Sequence, residues 1–265
     1  MPHIHATHCY PHSSRTARAT GPTCPPNCPP KNPVKAARRR QAGRYRRRLF
    51  GVVVLTSLGA LQSVSAQPGA PERYVIGDFS AGSITGWSAV TFKGTTQYQI
   101  VRDGFQSVLR ATSTDSASGL VHKQRIDLTR TPYLNWRWKI GNKIENVHET
   151  VRSGDDYAAR IYVVMDGGLL FWKTRALNYV WAHGSPTGTI WPNAFAGNNA
   201  MMLALRWRDD PVDTWQTEKR NVRADLRQVF GRDIRYIDAV ALMTDTDNTD
   251  AAVTAYYGDI VFSSH

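Results

Sequence analysis

Between residues 74 and 262 the chain alternates short apolar or half-apolar runs with clusters of Gly, Asn, Asp and Pro. The runs fall at 74–79, 87–92, 98–101, 107–111, 120–128, 134–140, 160–165, 177–182, 201–207, 215–222, 239–244 and 255–262. In the clearest of them Leu134, Trp136, Trp138 and Ile140 alternate with Asn135, Arg137 and Lys139. A period of two is the pattern of a strand with one buried face and one wet face. Many short strands at this spacing predict an all-β fold, a single jelly-roll or concanavalin-like β-sandwich.

One helical stretch interrupts the alternation. Asn221 is a good N-cap, Val222, Leu226, Val229 and Phe230 recur at helical spacing, and Gly231 supplies a stop. The pattern predicts one short helix packed on the sandwich, its apolar stripe contributing roughly 6–10 kcal/mol before entropy. No repeat or linker follows residues 67–72, so residues 67–265 are expected to form one β-sandwich domain.

Charge divides the chain at residue 66. Residues 1–66 hold eleven of the 33 basic residues and no acid, leaving 22 basic against 21 acidic residues, a net of +1, in the rest. The formal +12 therefore belongs to the leader, and nucleic acid is set aside as a partner. Residues 38–66 read as a signal peptide: basic residues 38–48, an apolar run at 49–61, and Val64-Ser65-Ala66 as a cleavage site. The expectation is a periplasmic or secreted protein, cleaved after Ala66, that meets the membrane only during export. The competing reading is an uncleaved anchor, but the apolar run is short of the about 20 residues a spanning helix needs. Arg47-Arg48-Leu49-Phe50 also fits a twin-arginine export signal.

Residues 1–37, rich in Pro and His, read as a disordered extension or the product of a start placed too far upstream; the alternative is a metal-binding tail using His3, His5, His8 and the cysteines. Cys9, Cys24 and Cys28 all precede the cleavage site. The mature chain then has no disulfide, thiol nucleophile or cysteine-bound metal, and a hydrophobic core must hold it together.

Two framing stretches, FSAGSITGWS at 79–88 and YYGDIVF at 256–262, resemble the first and last strands of jelly-roll carbohydrate-binding modules. That resemblance implies paired terminal strands and a structural Ca²⁺ held by Asp78 and Asp259. The plainer reading has Asp78 bonding a turn and Asp259 a strand edge, since two carboxylates fall short of the 6–8 oxygens calcium takes. No cofactor beyond such a calcium is required.

The stretches YLNWRWKI (133–140), GDDYAARIYVV through LNYVW (154–181), RNVRADLRQVFG (220–231), MTDTDNT (243–249) and YYGDIVF occur in an order that resembles a bacterial family, domain of unknown function 3047. The resemblance implies an exported β-sandwich and no established activity.

Functional chemistry is densest at residues 154–193. Asp155 and Asp156 precede a strand in which Arg160 and Tyr162 share one face, and an arginine in a buried strand needs an acid. Those acids either orient Arg160 structurally or join it in holding a ligand carboxylate or sugar hydroxyl. Lys173, Arg175, Asn178, Tyr179 and Trp181 add donors and flat rings, although aromatics are more often core than ligand platforms. His183, beside Gly184, is expected at a solvated loop tip. Asp245, Asp247 and Asn248 form an acidic turn that fails the EF-hand pattern, because Asp250 stands where glycine belongs and Tyr256 where glutamate belongs. They remain candidates for a calcium or a ligand.

Only Glu72, Glu145, Glu149 and Glu218 are glutamates, so the close Glu pair of many jelly-roll glycosidases is missing. GxSxG and HExxH motifs are missing too. Three functions fit: non-catalytic binding of a glycan or other polar ligand, a lyase or hydrolase acting on an acidic glycan, and a structural cell-envelope protein.

Overall fold

The computed structural model describes residues 72–145, 148–165 and 174–265. The leader segments 1–37 and 38–66, and Lys173, lie outside the described residues. Among the described residues no helix is long and apolar enough to cross a membrane.

The strands are β1 (Arg73–Gly77), β2 (Trp87–Lys93), β3 (Gln97–Asp103), β4 (Gln106–Thr114), β5 (Ala117–Asp127), β6 (Tyr133–Ile140) and β7 (Arg160–Met165). They continue as β8 (Arg175–Trp181), β9 (Ile190–Asn193), β10 (Gly197–Arg206), β11 (Gln216–Asn221), β12 (Tyr236–Asp245), β13 (Ala252–Tyr257) and β14 (Ile260–Ser263). The first sheet runs β1–β14–β6–β13–β4–β3, with β11 on the opposite edge of β6; the second runs β2–β5–β12–β7–β8–β10–β9. All pairings are antiparallel except β8 with β10. The fold is the expected all-β sandwich, and each predicted run contributes a strand. The run 255–262 is cut in two at Gly258-Asp259, and β9 was not anticipated.

β1 and β14 pair as expected of the termini, Tyr74 opposite Phe262. The stretch 79–88 is mostly turn, its Gly82 N–H donating to the Phe79 carbonyl at 2.9 Å, because the first strand ends before it. The helix α1 (Val222–Phe230) matches its sequence signals: the Asn221 side chain accepts from the Ala224 N–H, and Gly231 closes the helix at φ 67°.

Leu134, Trp136, Trp138 and Ile140 all point into the core. Across the sandwich they meet the buried face of β8, with Trp136 5.5 Å from Tyr179 and Trp138 5.9 Å from Trp181 between ring centroids. Each such side chain contributes about 1.5–3 kcal/mol by leaving water, so this aromatic seam helps hold the two sheets together. The second sheet is also covered on its outer face, where Tyr157 and Trp191 pack on Val180, Ala182, Met202 and Ala204.

Candidate functional site

The sheet separates residues that sequence had grouped. In β7 Arg160, Tyr162 and Val164 face outward while Ile161 and Val163 face the core; in β8 Tyr179 and Trp181 face the core and Asn178 faces outward, opposite Tyr162. Tyr179 is sealed, and its hydroxyl donates to Asp225 of α1 at 2.8 Å, where Arg220 also bonds. Burial, reinforced by Asp225, raises the Tyr179 phenol well above its ordinary value. Tyr179 and Trp181 are therefore core residues and no ligand platform. Arg175 lies at the far end of the hairpin, opposite Met165, with its guanidinium 5.5 Å from the Phe230 ring centroid.

The acids do converge on Arg160. Asp245 forms a buried ion pair with it, and its guanidinium carbon stands 5.0 Å from the Tyr157 ring and 5.5 Å from the Tyr162 ring. Asp155 takes two bonds from the Asn193 side chain, at 2.7 and 2.9 Å. Asp156 takes the Asn248 N–H, the Asn248 amide and the Thr249 hydroxyl. Burial pushes Asp245 well up despite the pull of Arg160, and burial likewise raises Asp155 and Asp247. Burial works against the Arg160 charge, but Asp245, together with Tyr162, Asp155 and Tyr157, more than offsets it and raises its pKa. The cluster mostly satisfies itself and is walled in, with Asp155, Asp156, Arg160 and Asp245 all buried. Two buried atoms there have no partner, Arg160 Nε and Asn178 Oδ1.

Carboxylate oxygens of Asp156, Asp245 and Asp247 lie within 4.8 Å of one another, so these residues could hold a cation, in competition with Arg160 for Asp245. The pair Asp78 and Asp259 builds no such cage. Asp259 takes the Ser80 N–H and hydroxyl at 2.8 and 2.6 Å, one on each oxygen, while Asp78 is exposed.

His183 is not at a wet loop tip. Glu149, itself buried, accepts the N–H groups of His183, Gly184 and Ser185 at 3.1, 2.8 and 2.7 Å and draws the loop inward. The imidazole is buried beside Tyr157, its Nε2 lacks a partner, and burial lowers its pKa to about 4 against the pull of Glu149 and Asp156.

The open polar surface lies on the other sheet. The wet side of β6 turns Asn135, Arg137 and Lys139 outward, and register brings Thr217 beside Arg137, and Lys219 and Val261 beside Asn135. A groove of about 560 Å³ is lined here by Arg73, Ser80, Gln106, Asn135, Arg137, Thr217 and Asp259. The Arg137 stem lies across Gly258, where a Cβ would stand 2.5 Å from its Cγ. Its guanidinium carbon is 4.3 Å from the Trp215 ring centroid, and Nη2 donates to Gln106. Trp215 is held in turn by a 2.7 Å bond from its Nε1 to Asp103, which also takes Lys139. Burial works against the Asp103 charge, but those two bonds keep its carboxyl below the usual range.

A family model described as Protein of unknown function (DUF3047) matches residues 85–261. The chain belongs to that family. The match takes in Asn135, Arg137, Thr217 and Asp259 of the groove, as well as the whole acid–arginine cluster. No curated protein matches this family member. Among solved structures it is similar to a cellulase derived from Cel12A of Rhodothermus marinus, at 10% identity over 72% of this chain and 100% of that one, TM-score 0.42. The xyloglucanase domain of NopAA from Sinorhizobium fredii, in complex with cellobiose, shares 9% identity over 73% and 97%, TM-score 0.39. A lectin from Bauhinia forficata in complex with GalNAc shares 11% identity over 74% and 99%, TM-score 0.35. The likeness is of the β-sandwich arrangement alone.

Proposed function

We propose that this protein is an exported, non-catalytic glycan-binding β-sandwich whose ligand lies in the groove over β6, β11 and β14. The observation carrying this reading is the set of polar groups in the groove with no described partner: the Nε and Nη1 donors of Arg137, the Oδ1 acceptor of Asn135 and the Thr217 hydroxyl. A sugar hydroxyl both donates and accepts, so such a mixed surface suits a polyhydroxylated ligand better than a purely apolar one. The groove is open, whereas the acid–arginine cluster on the second sheet is closed over by its own partners.

Chemistry in the groove has little to work with. Its one lining carboxylate, Asp259, engages Ser80 with both oxygens, and glycoside hydrolysis ordinarily uses two carboxyl groups across the scissile bond. That favours binding over turnover. The test is retention of the purified protein on a panel of immobilised polysaccharides, with product analysis of the same polymers in solution. Retention with unchanged polymers is expected; shortened or unsaturated products would replace this reading with an enzymatic one.

A further inference from the structure

We infer that the glycan is anionic, a polymer carrying carboxylates along its length. This rests on the reading of the groove as a glycan site and names the class of sugar it takes.

The argument is one of unmatched charge. Beyond the leader the chain is nearly neutral, 22 basic against 21 acidic residues, and most of its arginines have found acids. Arg125 pairs with Asp238, Arg130 with Glu72, Arg206 with Glu218, Arg223 with Asp233 and Arg235 with Asp127. Within the groove cations outnumber acids, with Arg73 and Arg137 against Asp259 alone. Arg73 and Arg137 of the groove, and Lys219 beside its lining residue Asn135 on β11, form no ion pair with any described residue and stand on one face of the sheet. Lys139, whose charge Asp103 already balances, adds nothing to this excess.

The three cations are held differently, and the differences favour a polymer over a single small anion. Arg73 sits on β1, which joins β6 through β14; Lys219 sits on β11, across β6 from that side. Strands lie about 4.8 Å apart, so the charges flank β6 on both sides and do not converge on one point. Arg137 lies between them in β6 with its plane fixed by Trp215 and its stem seated on Gly258. A guanidinium oriented in advance loses little freedom on meeting a carboxylate, and its fork matches that group. The Lys219 ammonium rests 5.0 Å from the Tyr133 ring centroid, and its strand position puts it beside Asn135, a residue of the groove. The opposing acid, Asp259, lines the groove too, but both its oxygens are taken by Ser80.

The test uses the full-length mature protein with polygalacturonate, alginate and hyaluronate, each beside its methyl-esterified form, which keeps the hydroxyls and removes the charge. At least one acid polymer should bind roughly tenfold or more tightly than its ester, the scale of one charge-assisted contact. The gap should shrink as salt shortens the reach of exposed charges below about 8 Å. It should also close in Arg73→Gln/Arg137→Gln, whose unfolding midpoint should stay near that of the parent. Esters or neutral glycans bound as tightly as the acids would overturn this inference and leave the glycan reading standing. Binding to no polymer of either kind would remove both. A double variant that keeps full preference for the acids would overturn the assignment to these arginines.

Discussion

The guanidinium of Arg137 lies on the face of Trp215, 4.3 Å from carbon to ring centroid, and Trp215 is itself tied to Asp103. The contact places a charged fork on the wet side of β6 with its orientation decided before any ligand arrives. Gly258 is the third part of the arrangement, since only the absence of a side chain lets the arginine stem cross the backbone there. A hydrogen bond from the Gly258 N–H to the Arg137 carbonyl, at 2.9 Å, keeps the two segments together.

Gly258→Ala should therefore act on binding through Arg137. The new methyl would stand 2.5 Å from the Arg137 Cγ, the middle of a flexible side chain that can swing outward. We predict a folded protein destabilised by about 1–2 kcal/mol, with polysaccharide affinity falling as far as in Arg137→Gln. Denaturant titration and binding on the same preparation check both parts.

Arg160 should prove structural. Arg160→Met leaves Asp245 buried without its cation and should cost about 3–5 kcal/mol, whereas Arg160→Met with Asp245→Asn should recover most of that loss. The double variant should bind polysaccharide as the parent does. Urea unfolding and a retention assay give the two readings.

Tyr179→Phe tests whether the second-sheet aromatics belong to the core. It deletes the 2.8 Å bond to Asp225 but leaves the Arg220–Asp225 pair, so a loss of about 1–2 kcal/mol is expected, with unchanged ligand binding. Equilibrium denaturation measures the first and retention the second.

His183 predicts a pH dependence of stability. Its folded pKa is lowered to about 4 from an ordinary 6.5, so as pH falls the unfolded chain takes the proton first. The stability it contributes is complete above pH 6.5 and drains away as pH falls toward 4, by roughly 3 kcal/mol in all. The raised carboxyls of Asp155 and Asp245 act in the opposite sense, favouring the folded state as they protonate, and are common to parent and variant. The difference in Tm between the parent and His183→Gln should therefore change steadily between pH 6.5 and 4 and stay constant above.

Sequence pattern was most informative where one face of an element is wet. The alternation of β6 and the caps of α1 led directly to the observed strand and helix, because polar residues mark the outer side of each. It was weakest on the second sheet, which is covered on both faces around β8, so polarity could not tell the side of Tyr179 from that of Asn178. β9 escaped notice because it is short and carries Pro192, which an edge strand tolerates without losing a ladder bond. The groove was half legible. Asn135, Arg137 and Lys139 stood out as a wet face, but only strand order brings Arg73, Thr217 and Asp259, far apart in the chain, to the same place.

Amide hydrogen exchange with and without an oligogalacturonate tests the location of the site most directly. Slower exchange in β6, β11 and β14 on adding the sugar is the predicted result. Protection confined to residues 155–162 and 245–248, or no protection anywhere at saturating sugar, would contradict a ligand site on the first sheet.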